Sequence, residues 1–206
     1  MAALMSVLFL KRFLQRPFQV ASIIPSSRAL VERVSEKIDF ASARVIAEYG
    51  AGEGVHTREI VRKMRHDSQL LVFELDAAFC RDLRRQFAND ARVHVINHDA
   101  ARLSEAMQQR GIAQCDYIVS GIPFSILAKD KKQALLRQTY EALAADGAFI
   151  IYQVTNELRQ HATDFAHAES EYFLANIPPM FITVFRKPPS TNGHRPLAAA
   201  AASRSS

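Results

Sequence analysis

The residues best suited to chemistry in this 206-residue chain end three successive apolar runs. The first run is Val45-Ile46-Ala47-Glu48-Tyr49-Gly50-Ala51-Gly52-Glu53-Gly54, an apolar strand that carries an acid and then breaks into a glycine-rich turn. Glycine lets a backbone turn tightly and approach a ligand closely where any Cβ would collide. The second run is Leu71-Val72-Phe73-Glu74-Leu75-Asp76. A carboxylate ending a second strand can accept hydrogen bonds from both hydroxyls of a nucleoside ribose. Each such bond to a charged group contributes about 1.5–3 kcal/mol. The third run ends in Asn97-His98-Asp99-Ala100, where an Asp can accept from an adenine amino group while neighbouring N–H groups meet the ring nitrogens. Each acid also has a plainer reading: Glu74 as a solvated acid beside a helix cap at Asp76, and Asp99 as the cap of a helix from Ala100.

For these residues to meet, the runs that carry them must lie side by side. Apolar runs at Arg44–Glu48, Leu70–Glu74, Val93–Asn97, Tyr117–Ser120 and Ala148–Gln153 alternate with helical stretches at Thr57–Met64, Ala78–Ala88, Arg102–Gln109 and Lys131–Ala144. That alternation predicts a parallel sheet with crossover helices. Tyr172–Ala175 and Phe181–Phe185 are joined only by Asn-Ile-Pro-Pro-Met, too little chain for a parallel crossover, so they are expected to pair antiparallel. The expected fold class is α/β and Rossmann-like: seven strands, mostly parallel, with a C-terminal antiparallel hairpin, in a body spanning 26–187. The carboxyl ends of such strands open on one edge of the sheet, where ligands bind.

Composition bounds the setting. The chain is 49% hydrophobic and 23% charged, which suits one globular domain and excludes collagen-like or extensively disordered classes. With 26 Lys+Arg against 21 Asp+Glu, it is compatible with an anionic partner, either nucleic acid or a lipid surface. Cys80 and Cys115 stand apart from any Cys/His cluster, so neither a metal site nor a disulfide is expected. Residues 188–206, rich in Pro, Ser and Ala, are expected to be a disordered tail. Residues 1–25 read as an amphipathic basic leader. Phe9, Leu10, Phe13 and Leu14 share a helical face opposite Lys11, Arg12, Gln15 and Arg16, and no acid precedes Glu32. The run Met1–Leu10 is too short to span a bilayer, and its basic residues follow it, unlike those of a signal peptide. The chain is therefore expected in the cytoplasm, peripherally on the inner membrane surface. Lys11, Arg12 and Arg16 would each add about 1 kcal/mol at anionic lipid. A helix packed on the domain is the alternative.

The series Glu48-x-Gly50-x-Gly52-x-Gly54, Glu74, Asp99 resembles the cofactor motifs of class I S-adenosylmethionine-dependent methyltransferases, whereas a dinucleotide dehydrogenase would show G-x-G-x-x-G. The resemblance implies that Glu48 steadies the loop and that Gly50, Ala51, Gly52 and Gly54 face the methionyl part of the cofactor. It further implies cofactor contacts at Glu74, Leu75, Asp99, Ala100, Ser26 and Ser27. Ser120-Gly121-Ile122-Pro123 is similar to the Asn-(Leu/Ile)-Pro-Tyr motif of rRNA adenine dimethylases, with Gly121 where the amine-accepting Asn would stand. That departure counts against a nucleobase substrate. Phe13-Leu14-x-x-Pro17, Ile23-Ile24-Pro25-Ser26-Ser27, the Ser-Gly-Ile-Pro segment and Asn176-Ile177-Pro178-Pro179 resemble bacterial phospholipid N-methyltransferases. The resemblance implies methyl transfer to a lipid amine, phosphatidylethanolamine towards phosphatidylcholine, with the backbone of Ser120, Gly121 and Ile122 orienting the amine. The same pattern also resembles methyltransferases of other amine-bearing lipids, such as ornithine lipids, and does not separate the headgroups. The alternative is an rRNA adenine or a soluble amine. Lys129-Asp130-Lys131-Lys132 would either meet lipid phosphate or be a solvated helix start, and His56 and His98 are given no role.

Overall fold

Apolar runs buried on both faces build the middle layer, the burial expected of parallel strands covered by helices on either side. The computed structural model describes residues 26–189. Its strands are β1 (Val45–Tyr49), β2 (Gln69–Phe73), β3 (Val93–Ile96), β4 (Cys115–Ser120), β5 (Leu143–Gln153), β6 (His167–Phe173) and β7 (Met180–Arg186). They form one sheet in the order β3-β2-β1-β4-β5-β7-β6. The first five pair in parallel, and β7 runs antiparallel to both β5 and β6. This is the Rossmann-like sheet with the C-terminal hairpin that the sequence predicts. The leader, including Lys11, Arg12 and Arg16, and almost all of the tail lie outside the described residues.

The helices are α1 (Arg28–Ser35), α2 (Val55–Lys63), α3 (Ala77–Gln86), α4 (Leu103–Gln108) and α5 (Lys129–Ala142). Alternation along each strand sorts the core into two layers. Ile46, Leu70, Val72, Val119 and Ile150 pack with Leu30 and Val34 of α1, Ile60 of α2 and Leu83 of α3. Ala47, Leu71, Phe73, Ile118 and Phe149 pack with Leu103 and Met107 of α4 and Leu135 and Leu136 of α5. Among the described residues, no helix is long and apolar enough to cross a membrane.

Three elements differ from expectation. Helix α1 has no counterpart in the sequence reading, because its apolar stripe is only Leu30, Val31 and Val34 among charges. Strand β6 lies at His167–Phe173 rather than Tyr172–Ala175. It is an edge strand, paired on one side only, and its polar residues His167, Glu169 and Glu171 show no continuous apolar run. Helix α5 stops at Ala142, and β5 begins at Leu143, inside the stretch expected to be helical.

Helix α1 is locked to the β6–β7 connection. The Ser27 N–H donates to Asn176 Oδ1 at 2.8 Å, and its hydroxyl donates to the Ala175 carbonyl at 2.8 Å while accepting from Leu30 N at 3.1 Å as the helix cap. Asn176 is 1% exposed and donates its amide to the Pro178 carbonyl at 2.9 Å. Arg33 grips both oxygens of Glu171 at 2.8 and 2.6 Å, with Lys37 at 3.1 Å from the same carboxylate. Asn176→Ala leaves two backbone groups without their partner, a loss of about 1–3 kcal/mol. A lower urea midpoint at unchanged slope is expected, and an unchanged midpoint would show that Asn176 does not hold α1 to the hairpin.

Candidate active site

The order of strands reverses between β1 and β4, and the carboxyl ends of both open on the edge where Glu48, Glu74, Asp99 and Ser120 lie. Glu48 sits within β1 and is 1% exposed. Its Oε2 accepts from the Thr57 hydroxyl at 2.7 Å, which fastens the start of α2 to β1, and its Oε1 has no partner among the described residues. Burial pushes this carboxyl up to about 7, against the opposing Thr57 bond. Glu48 is a buried acceptor with one oxygen still to satisfy.

The three loop glycines have different reasons. Gly50, at φ +73°, would direct a Cβ to 3.2 Å from Ile122 Cγ1, so it lets the β1 and β4 ends close together. Gly54, at φ +77°, would drive a Cβ to 2.6 Å from Leu83 of α3. Gly52 alone opens onto free space, with nothing within 4 Å of its virtual Cβ. Its N–H donates to Glu74 Oε2 at 2.8 Å, and the Asp76 N–H donates to Glu74 Oε1 at 2.9 Å. The Glu74 carboxylate is thereby held across the loop mouth, with lone pairs left for a ligand. Asp76 caps α3 through Ala78 N at 2.6 Å, as its plainer reading proposed. Leu75, between these two acids, is 66% exposed.

Asp99 accepts from Ala101 N at 3.0 Å and from Lys131 Nζ at 2.7 Å. Burial raises its carboxyl, but the Lys131 bond and charge outweigh this and hold it below the usual carboxylate range. Lys132 is buried and reaches Glu157 at 2.7 Å. Two of the three lysines in the basic cluster are thus engaged in ion pairs within the chain.

At the end of β4, Ser120 is buried and its hydroxyl accepts from Ile122 N at 3.2 Å. Gly121 follows, and a Cβ there would lie 2.5 Å from the hydroxyl of Tyr152 and 3.3 Å from the Gly50 carbonyl. Tyr152, near the end of β5, therefore fills the space that a side chain at 121 would need. Its ring stacks on His56 with centroids 4.3 Å apart and planes at 22°. His56 is 4% exposed, bonds through Nε2 to the Ser26 hydroxyl at 3.1 Å, and is pushed down to about 4 by burial. Burial, and then the Glu48 charge, push the Tyr152 phenol up, so it stays a neutral hydroxyl.

The structure gathers Glu48, the glycine loop, Glu74, Leu75, Asp99, Ala100 and Ser120–Ile122 on one sheet edge, with Ser26 joined through His56. Ser27 is spent on capping α1 and holding the hairpin. Sequence reasoning missed Tyr152 and left His56 without a place. The signal for Tyr152 was available at the end of the fifth apolar run, yet its closeness to Gly121 comes only from the pairing of β4 with β5, and His56 joins it from α2.

Residues 46–147 match the family described as a methyltransferase domain. The chain is 38% identical over 142 residues to the ornithine lipid N-methyltransferase of Singulisphaera acidiphila, covering 69% of this chain and 74% of that protein. The N-methyltransferase NodS of Bradyrhizobium japonicum, solved with S-adenosyl-L-homocysteine, superposes with a TM-score of 0.60 at 12% identity, over 79% of this chain and 89% of that one. The 1,6-didemethyltoxoflavin-N1-methyltransferase of Burkholderia thailandensis superposes with a TM-score of 0.61 at 16% identity, over 91% of this chain and 88% of that one. At these identities the two superpositions bear on the fold.

Glu48 and His56 act on stability with opposite signs. Between about 4.5 and 7 the unfolded chain releases a Glu48 proton that the folded chain keeps, so stability falls as pH rises through that window. Between about 4 and 6.5 the unfolded chain binds a proton that folded His56 refuses, so stability rises with pH there. Glu48→Gln removes the falling contribution. Its stability relative to wild type should grow from pH 4.5 to 7 by on the order of 2–3 kcal/mol. Denaturant titrations at several pH values check this, and parallel pH curves for the two proteins would remove the buried-acid account.

Proposed function

The chain belongs to the class I S-adenosylmethionine-dependent methyltransferases, and we propose that it methylates the amine of a membrane-lipid headgroup. The observation that carries this reading is the likeness to the ornithine lipid N-methyltransferase, which extends over most of both chains. The motifs of the sequence resemble methyltransferases of phosphatidylethanolamine and of ornithine lipids alike, and the relative named above is an ornithine lipid N-methyltransferase. Each of these lipids presents an amine at the end of its headgroup. In this reading the leader holds the enzyme on an anionic membrane surface, and nucleic acid is not the substrate.

The residues fit the cofactor. Gly52 leaves open the space a Cβ would fill, the unpartnered Glu48 Oε1 suits a cationic group, and exposed Leu75 offers an apolar surface to a base. Glu74 would hold the ribose hydroxyls, while Asp99 and Ala100 would meet the adenine once Lys131 shares or yields its bond. The loop from Gly50 to Gly54 would take the methionyl part. Bound S-adenosylmethionine supplies a methyl group activated by its sulfonium.

The chain's own task is to present a neutral amine. An amine with a lysine-like pKa of ~10.4 costs about 4–5 kcal/mol to deprotonate at pH 7. Positioning two reactants lowers a barrier by about 7–11 kcal/mol, so no strong base is required. Tyr152, neutral and without a hydrogen-bond partner among the described residues, accepts one amine N–H, and the backbone of Ser120–Ile122 orients the rest. Glu48 stabilises positive charge nearby.

Turnover of labelled cofactor with phosphatidylethanolamine vesicles, ornithine lipid and rRNA in parallel tests the reading. Label in lipid is expected, and label in rRNA alone would overturn it. Glu74→Ala should weaken cofactor binding roughly tenfold to a hundredfold by calorimetry, as bonds to a charged acceptor are lost. Tyr152→Phe should lower kcat on lipid by roughly tenfold to a hundredfold at unchanged cofactor affinity, about 1.4–2.7 kcal/mol of transition-state positioning. An unchanged kcat would remove Tyr152 from the amine site.

A further inference from the structure

Four large apolar side chains stand exposed among the described residues: Leu75, Tyr172, Leu174 and Ile177. Leu75 belongs to the nucleoside site. The other three fall within six residues, at the end of β6 and in its connection to β7, and are 54%, 70% and 80% exposed. Because β7 runs antiparallel to β5 and β6 in turn antiparallel to β7, this connection lies on the same sheet edge as the glycine loop and Gly121.

The tip is held by its interior and not by what covers it. Asn176 and Pro178 are buried while Leu174, Ala175 and Ile177 point outward. Ser27 donates its N–H to Asn176 Oδ1 and its hydroxyl to the Ala175 carbonyl, and Arg33 and Lys37 grip Glu171 at the strand end. A loop fixed in this way pays little ordering entropy when its apolar side chains are taken up. The anchor also fixes where the chain before residue 26 departs. Residues 1–25 join at Ser26 and Ser27, against the tip itself, and their charged residues are Lys11, Arg12 and Arg16 with no acid. A basic sequence attached to the domain beside exposed aliphatic and tyrosine side chains matches the chemistry of a bilayer interface, where cations meet lipid phosphates and apolar groups enter the acyl boundary.

We propose that the β6–β7 tip, through Leu174 and Ile177 with Tyr172 at its base, inserts into the interface of a lipid bilayer and docks the active-site edge against the membrane. The proposal rests on the lipid reading above and deepens it, since it sets the mouth of the site where a headgroup amine lies.

The chain contains no tryptophan, so Ile177→Trp in the full chain supplies a single indole reporter. On vesicles of phosphatidylethanolamine and phosphatidylglycerol, its emission should shift to the blue and be quenched by brominated acyl chains. Leu174→Ser with Ile177→Ser should weaken vesicle binding roughly tenfold or more, through lost apolar burial. The same double variant should methylate lipid in detergent mixed micelles as wild type does. An indole that stays water-exposed while the protein sediments with vesicles would overturn the proposal. Emission already blue-shifted without vesicles, and unchanged on adding them, would overturn it by showing the leader seated on the tip. Absence of any lipid methylation by wild type, in vesicles or micelles, would remove the lipid reading and the proposal together. Intact lipid methylation with a dry tip removes only the proposal.

Discussion

A carboxyl group taken out of water at the end of an apolar strand must be either neutral or compensated, and Glu48 is held between the two. One oxygen binds Thr57 and so fixes α2 against β1. The other has no partner among the described residues, and burial keeps the group protonated to about pH 7. The tight turn from Gly50 to Gly54 follows from this, because α2 must begin close enough for Thr57 to reach back. Gly54 enters that helix with a left-handed φ of +77°, where a Cβ would strike Leu83. The same carboxyl bears on Tyr152, whose phenol its charge helps keep neutral. Cofactor loop and proposed amine site are therefore two sides of one buried acid.

The sequence made the local parts of this arrangement legible. An acid, a glycine turn and a helix are consecutive in the chain, so Glu48 to Gly54 could be read without knowing what packs on them. Glu74 and Asp99 end runs of the same kind, and the strand order that joins them is typical of alternating strands and helices. Long-range contacts were not legible. Tyr152 meets Gly121 only because β5 pairs with β4, and it meets His56 only because α2 covers that face. The Lys131–Asp99 pair spans 32 residues, and the reading of the lysine cluster as a solvated start missed it. Edge strand β6 escaped for a different reason: its outward positions are polar, so periodicity has little to grip.

Tyr152 also explains a departure that the sequence could only note. The rRNA adenine dimethylases resembled at this segment place an Asn where this chain has Gly121. Here a Cβ at that position would lie 2.5 Å from the Tyr152 hydroxyl, so an Asn at 121 and a Tyr at 152 exclude one another. On the reading proposed above, the Tyr152 hydroxyl takes the part of the missing acceptor. A hydroxyl arriving from the neighbouring strand occupies the place, held by a ring stacked on a buried, neutral histidine.

That substitution bears on what the site can admit. An Asn side chain and its adjacent carbonyl suit a flat nucleobase, whose amino group lies in the ring plane and needs acceptors in that plane. A hydroxyl that rotates about its bond, standing where the Asn amide would be, imposes no such plane. It suits an sp3 amine on a flexible headgroup, which must be turned until its lone pair faces the methyl donor. Such an amine also changes shape with each methyl it gains, losing one N–H every time. In the proposed site a rotating hydroxyl can follow the one N–H that remains after a first transfer, and the backbone of Ser120–Ile122 holds the position around it. The hydroxyl beside Gly121 in this proposed site therefore suits an sp3 amine better than a planar base, while the lipid part of the reading rests on the likeness to the ornithine lipid N-methyltransferase.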